Sequence, residues 1–234
     1  MHNIVLDLCG GSGAWSQPYK NAKYDVILLT LPEYDVRNFH IAHYPQGSPR
    51  IIFDSAEFPL YVDIDEIVGI LAAPPCTEFS IANAVPYSER DLVFAMSVVQ
   101  ACMQIVWRIS EYSKLDFWAL ENPRGLLRRF LGNPLFTFEQ WQYGNLGMKA
   151  TDIWGWFNKP KPTVTVQPSD VVPLEKVKYA DIIKTNPQAF AHITGREQRR
   201  SAARAITPSG FANAFFKANN PLHLSAQMKL TGGA

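Results

Sequence analysis

Ile4-Val5-Leu6-Asp7-Leu8-Cys9-Gly10-Gly11-Ser12-Gly13 decides the fold. A short apolar run stops at a glycine-rich turn, and Ala14 to Ala22 beyond it can form a helix, which gives strand, tight turn, helix. A second apolar run, Tyr24-Asp25-Val26-Ile27-Leu28-Leu29, follows at the distance of the next strand in a βαβ unit. Ile67 to Ala73 is continuously apolar and ends at Pro74-Pro75, so it reads as a strand buried on both faces, as in a parallel sheet. Phe117-Trp118-Ala119-Leu120 is another short strand, ended by Glu121-Asn122-Pro123. The expected class is α/β with a mixed, mostly parallel sheet.

Between these runs, Glu89 to Tyr112 is the longest helical candidate, with apolar residues at Val93, Met96, Val99, Met103, Val106 and Ile109, and Cys102 on the same stripe. Tyr34 to Val62, rich in Pro, Asp and aromatic residues, reads as irregular and peripheral, with Arg50 to Phe53 as a short strand. Beyond Pro123 the pattern changes to aromatic strands at Phe136 to Phe138 and Asp152 to Phe157. A proline-rich linker from Asn158 to Asp170 follows, then helices at Arg196 to Ile206 and Pro208 to Ala218. The expected division is 1–143 for catalysis and cofactor, 144–194 for a small target-recognition or linker region, 195–219 for helices packing back, and 220–234 for a tail.

A chain of 234 residues with 47% hydrophobic and 18% charged residues can bury a substantial core, which excludes a disordered protein. Apolar stretches such as Ile67 to Pro75 are too short to cross a bilayer and the N-terminus lacks a basic start, so a cytoplasmic protein without membrane attachment is expected. Cys9, Cys76 and Cys102 have neither zinc spacing nor an even count, and His40 and His43 lack an acidic or cysteine partner, so no metal site is expected. Charge is uneven. Met1 to Ala119 carries seven basic and fourteen acidic residues, Leu120 to Lys217 the reverse, as in a small-molecule site joined to a surface that holds a polyanion.

In an open α/β sheet the ligand site lies beyond the carboxyl ends of the strands. Three candidate strands end there in polar or nucleophilic residues: Asp7 with its glycine turn, Cys76 after two prolines, and Glu121. The turn lets backbone approach a ligand closely but lacks the lysine of a phosphate-binding loop.

Asp7-Leu8-Cys9-Gly10-Gly11-Ser12-Gly13, Pro74-Pro75-Cys76-Thr77-Glu78-Phe79-Ser80 and Glu121-Asn122-Pro123, in this order, resemble the cofactor, nucleophile and Glu-Asn motifs of the cytosine-5 DNA methyltransferases. Trp141-Gln142-Tyr143-Gly144-Asn145 and Thr207-Pro208-Ser209-Gly210 resemble its late motifs more loosely, and the likeness spans about Ile4 to Asn219. The resemblance implies a Rossmann-like S-adenosylmethionine-dependent fold and methyl transfer from that cofactor to C5 of cytosine in DNA, with Cys76 as nucleophile and Glu121 as its acidic partner. It further implies a cofactor site at Leu8, Cys9, Gly10, Gly11, Gly13, Trp15, Asp35, Pro74 and Thr207, and substrate contacts from Ser80, Asn122 and Lys149. A phosphate-contacting set is read from Arg128, Arg129, Lys149, Arg196, Arg199, Arg200 and Arg204.

The chain departs from the family pattern at Thr30, where an acidic residue would meet the ribose, with Glu33 as its substitute; at Cys9 and Thr77; and at Gln142-Tyr143-Gly144-Asn145. The region between Tyr143 and Thr194 is short for base-specific readout, a compactness that resembles phage or prophage members. Two alternatives stand beside the DNA reading: methylation of RNA, and a catalytically lapsed nucleic-acid-binding protein of the same fold.

Overall fold

The computed structural model describes residues 3–145, 147–173, 176, 195, 202, 203 and 205–221. Strand β1 (Ile4–Leu8) is buried along its whole length and lies between β2 (Asp25–Leu29) and β6 (Ile67–Ala72), parallel to both. Strand β7 (Phe117–Pro123) runs parallel to β6 on the far side. Next comes β10 (Ala150–Trp156), antiparallel to β7, and then β8 (Phe136–Glu139), antiparallel to β10. The order β2-β1-β6-β7-β10-β8 makes the sheet mixed and mostly parallel, as expected. Because β10 pairs on both edges, the segment 144–194 supplies a strand of the central sheet.

Successive side chains of a strand face opposite sides, and the core divides accordingly. Leu6, Leu8, Ile70, Ala72, Leu120 and Trp154 face one cluster, together with the buried side of α2 (Leu92–Ser110). Val5, Leu71, Phe117, Ala119 and Ile153 face the other, with Tyr19 from the short helix α1 (Gln17–Asn21) and Phe211 and Phe215 from α4 (Ser209–Ala218). Phe138 stacks on Phe211 with ring centroids 4.0 Å apart, and Phe117 meets Phe215 edge-on at 5.9 Å.

Three expectations are corrected. Residues 34–62 are irregular only in part: β4 (Arg50–Phe53) is the strand expected there, and with β3 (Phe39–Ala42) and β5 (Leu60–Asp63) it forms an antiparallel sheet whose Ile51, Phe53 and Val62 belong to the α2-side core. Strands of four residues are too short to show their period against a polar background. Helix α2 starts at Leu92 rather than Glu89, because the Asp91 carboxylate caps it by accepting from the Phe94 amide at 2.9 Å, and Val93 is 85% exposed rather than part of the buried stripe. That helix is also long and apolar enough to cross a membrane by length and composition alone, although Val99, Cys102, Ile105 and Ile109 are fully buried against the sheet.

The remaining described elements are α3 (Arg128–Leu131) and the two-residue strands β9 (Gly147–Met148) and β11 (Val172–Pro173), which pair in parallel. Residues 158–170 carry neither helix nor strand, and α4 runs as the sequence suggests. The expected helix from Arg196 lies largely outside the described residues.

Candidate active site

From β1 the chain crosses to β2 on one side and returns as β6 on the other, so β1 and β6 form the switch point of the sheet, where open α/β folds hold their ligands. Leu8, Ala72 and Leu120 are level across the three central strands. Three segments therefore leave the sheet side by side: the glycine turn after Leu8, Pro74-Pro75-Cys76 after β6, and Glu121 within the end of β7.

Close contacts hold these segments. The Ala73 amide donates to Leu8 O at 2.9 Å, and Asn122 Nδ2 donates to Pro74 O at 3.1 Å. Asn122 is fully buried, so the residue expected to touch substrate holds the proline loop instead, and its Oδ1 has no partner among the described residues. Past Cys76, the amides of Phe79 and Ser80 both donate to Cys76 O, while Phe79 O accepts from the Leu126 amide at 2.9 Å. A Cβ on Gly125 would lie 2.2 Å from Phe79 O, so the approach requires glycine. Ser80 bridges Gly125 through its backbone, and its Oγ accepts from the Ala82 amide at 3.2 Å.

Cys76 and Glu121 are partly exposed at this junction. Burial raises the Cys76 thiol above its ordinary value; the Lys149 charge opposes that, and the Glu121 carboxylate adds to it. Burial likewise raises Glu121, with Lys149 opposing and Asp152 adding. Cys76, Glu121 and Lys149 thus act on one another electrostatically in one place, although they are far apart in sequence. Asp152 is fully buried on β10, where Arg128 Nε and Nη2 each donate to it at 2.6 Å and Thr137 Oγ1 at 2.7 Å. Arg128, read as a phosphate contact, thus commits its Nε and Nη2 to Asp152 and Thr137. Arg129 is exposed; Arg196, Arg199, Arg200 and Arg204 lie outside the described residues.

At the turn, Cys9, Gly11 and Gly13 adopt left-handed φ of 57°, 53° and 67°. Gly11 is open outward, with no heavy atom within 4 Å of a Cβ placed there, whereas Gly10 lies against the Asp7 carboxylate. Leu8 is core, and the partly buried Cys9 packs on the cluster that contains Cys102. Asp7 is fully buried, and burial outweighs its hydrogen bond from Ser16 Oγ, pushing its carboxyl up to about 7. Trp15 is also core: its ring packs on Phe211 and Phe215, and its Nε1 has no partner among the described residues. The start of α1 is thereby joined to the helix that follows Thr207, which is partly buried. Both Asp35 oxygens are engaged by Arg37, so a ligand amino group would have to share that carboxylate. Pro74 is buried beneath the loop.

Sequence reading missed Arg90, a buried arginine whose setting, Ser88-Glu89-Arg90-Asp91, looks like solvated surface. Among the described residues no three His, Cys, Asp or Glu side chains gather as metal ligands. No family model matches this chain, and no curated protein matches its sequence.

Proposed function

We propose that this protein transfers a methyl group from S-adenosylmethionine to C5 of cytosine in DNA. The observation that carries the reading is the convergence of Cys76, Glu121 and Lys149, one nucleophile, one acid and one cation, at the switch point beside a glycine turn. The motif resemblance supports the same assignment.

The turn suits the cofactor: Gly11 leaves backbone open toward a ligand, the left-handed φ of Gly13 shapes the turn beside it, and Glu33 is exposed past β2 to meet the ribose in place of Thr30. When bound there, S-adenosylmethionine supplies an electrophilic methyl group. C5 of cytosine is too weakly nucleophilic to take it unaided, so the chain's residues must activate the ring. Cys76, as thiolate, adds through Sγ to C6, and the electron pair of the C5–C6 double bond moves toward C5 and the ring. Glu121 in its protonated form gives N3 a hydrogen bond and then the proton that neutralises this charge, and its raised pKa suits it to that role. Lys149 favours the thiolate, against the burial that otherwise holds the proton on sulfur. After C5 has gained the methyl group, a base removes the C5 proton, the double bond reforms, Sγ leaves C6 as thiolate and N3 returns its proton to Glu121.

A stacked cytosine hides C6, so the target base must leave the duplex or come from a single strand. Arg124 and Arg129, both exposed beyond β7, would meet phosphates around it. Incubation with labelled S-adenosylmethionine and either DNA or RNA tests the reading. Label should enter DNA, and Cys76→Ala should abolish it together with the covalent adduct on DNA containing 5-fluorocytosine. Transfer that persists in Cys76→Ala would sink the mechanism, and label in RNA alone would replace the substrate.

A further inference from the structure

Arg90 is only 9% exposed, and among the described residues it forms no ion pair with a carboxylate. Its guanidinium donates instead to four main-chain carbonyls: Nε to Val85 O at 2.9 Å, Nη1 to Glu78 O at 3.0 Å and Ser80 O at 2.9 Å, and Nη2 to Asn83 O at 2.7 Å. All four acceptors belong to the one loop that joins Cys76 to α2. The Tyr87 ring lies 4.5 Å from the guanidinium carbon. Removing a cation from water to bond only neutral carbonyls costs desolvation, so what the arrangement supplies is geometry.

The loop is fastened from two sides. Arg90 grips the carbonyls of Glu78 and Ser80, while between them Phe79 O accepts from Leu126 on the segment that continues from Glu121. The turn closes back on Cys76 O through the Phe79 and Ser80 amides. Behind Arg90, the Asp91 amide donates to Glu78 Oε2 at 3.1 Å and the Asp91 carboxylate caps α2, so the clamp is anchored to the longest helix. The planar fork of arginine presents donors in several directions at once, which lysine's single ammonium cannot reproduce.

We infer that Arg90 is a positioning residue for Cys76: it ties the loop of residues 78–85 to the start of α2, so that the sulfur keeps its place relative to Glu121. The inference rests on the reading of Cys76 as the nucleophile. Wild type, Arg90→Lys and Arg90→Met are compared for the rate of covalent adduct formation on 5-fluorocytosine DNA with S-adenosylmethionine, and for hydrogen exchange of the loop amides.

In Arg90→Met the maximal rate should fall at least about tenfold, as expected when a reacting group loses its orientation. The cofactor KM should stay within about twofold, because nothing that Arg90 touches belongs to the glycine turn, and the loop amides should exchange faster while those in the middle of α2 keep their protection. Arg90→Lys, with fewer donors, should restore part of the rate; it carries the test if Arg90→Met does not fold. A wild-type maximal rate in Arg90→Met, or a loss found only in KM, would overturn the inference. If wild type itself forms no adduct, the methyl-transfer reading fails separately. Iodoacetamide labelling of Cys76 then decides: a rate unchanged by Arg90→Lys and Arg90→Met overturns the positioning role, and a rise of at least about threefold in Arg90→Met supports it.

Discussion

Cys76 and Glu121 both hold their protons more tightly than exposed groups do, and burial is the first cause for each. Their charges also act on each other with a sign that can be checked. Removing the Glu121 charge takes away one cause that raises Cys76, so in Glu121→Gln the pH profile of iodoacetamide labelling at Cys76 should move to lower pH. Methyl transfer should nevertheless fall, by about 10² or more, for want of the acid. Lys149→Met should move the same profile to higher pH. Peptide mass spectrometry separates Cys76 from Cys9 and Cys102, and two shifts in one direction would refute the assigned charges. Asp7 gives a second prediction. Its carboxyl, raised to about 7 by burial, favours folding while protonated. That stability is complete below the ordinary carboxylate range and is lost as pH rises through about 7. Asp7→Asn should flatten this slope and exceed wild type in stability above neutrality by up to roughly 4 kcal/mol. Urea melts on the two sides of the interval measure it; an unchanged slope would mean that Asp7 is not the titrating group.

At the scale of elements, the site depends on how two loops meet. The segment running from Glu121 to Leu126 reaches the Cys76 loop through Asn122 to Pro74 and Leu126 to Phe79, and the closest approach is at Gly125. A methyl group there would lie 2.2 Å from Phe79 O, backbone that cannot swing aside as a side chain would. Gly125→Ala should therefore cost about 1–3 kcal/mol and slow adduct formation at Cys76. Thermal melts read the first effect and 5-fluorocytosine trapping the second; a stable variant with normal trapping would show that the contact is unimportant. The strands that carry these loops were legible as apolar runs ending in proline or polar residues. The contact between the loops was not, because it joins residues far apart in sequence through one amide side chain, that of Asn122, and a main-chain bond that most residues could make.

For the whole molecule, the consequence of the fold is that residues from both ends of the described chain share one core. Trp15 and Tyr19 pack on the helix formed by Ser209–Ala218, and Tyr19 Oη donates to Asn219 O across 200 residues of sequence. Phe211 is fully buried and touches the rings of Trp15, Phe138 and Tyr143. Phe211→Ala should cost about 3–5 kcal/mol, the range for an aromatic removed from a packed interior. It should do so in one cooperative transition, followed identically by tryptophan fluorescence and circular dichroism. Separate transitions would mean that the late helix is an independent unit.

The sequence by itself determined the class of the fold and the places where chemistry could sit. Apolar runs of strand length, a glycine turn, and strand ends marked by Cys76 and Glu121 are local features, written in neighbouring residues. Only the tertiary structure decided the rest. It inserted β10 between β7 and β8, gathered β3, β4 and β5 into a second sheet, engaged Arg128 with Asp152, and turned Arg90 inward onto four carbonyls. The physical reason is common to all four. Pairing partners and the destinations of long charged side chains depend on groups distant in sequence, whereas burial period and turn chemistry do not.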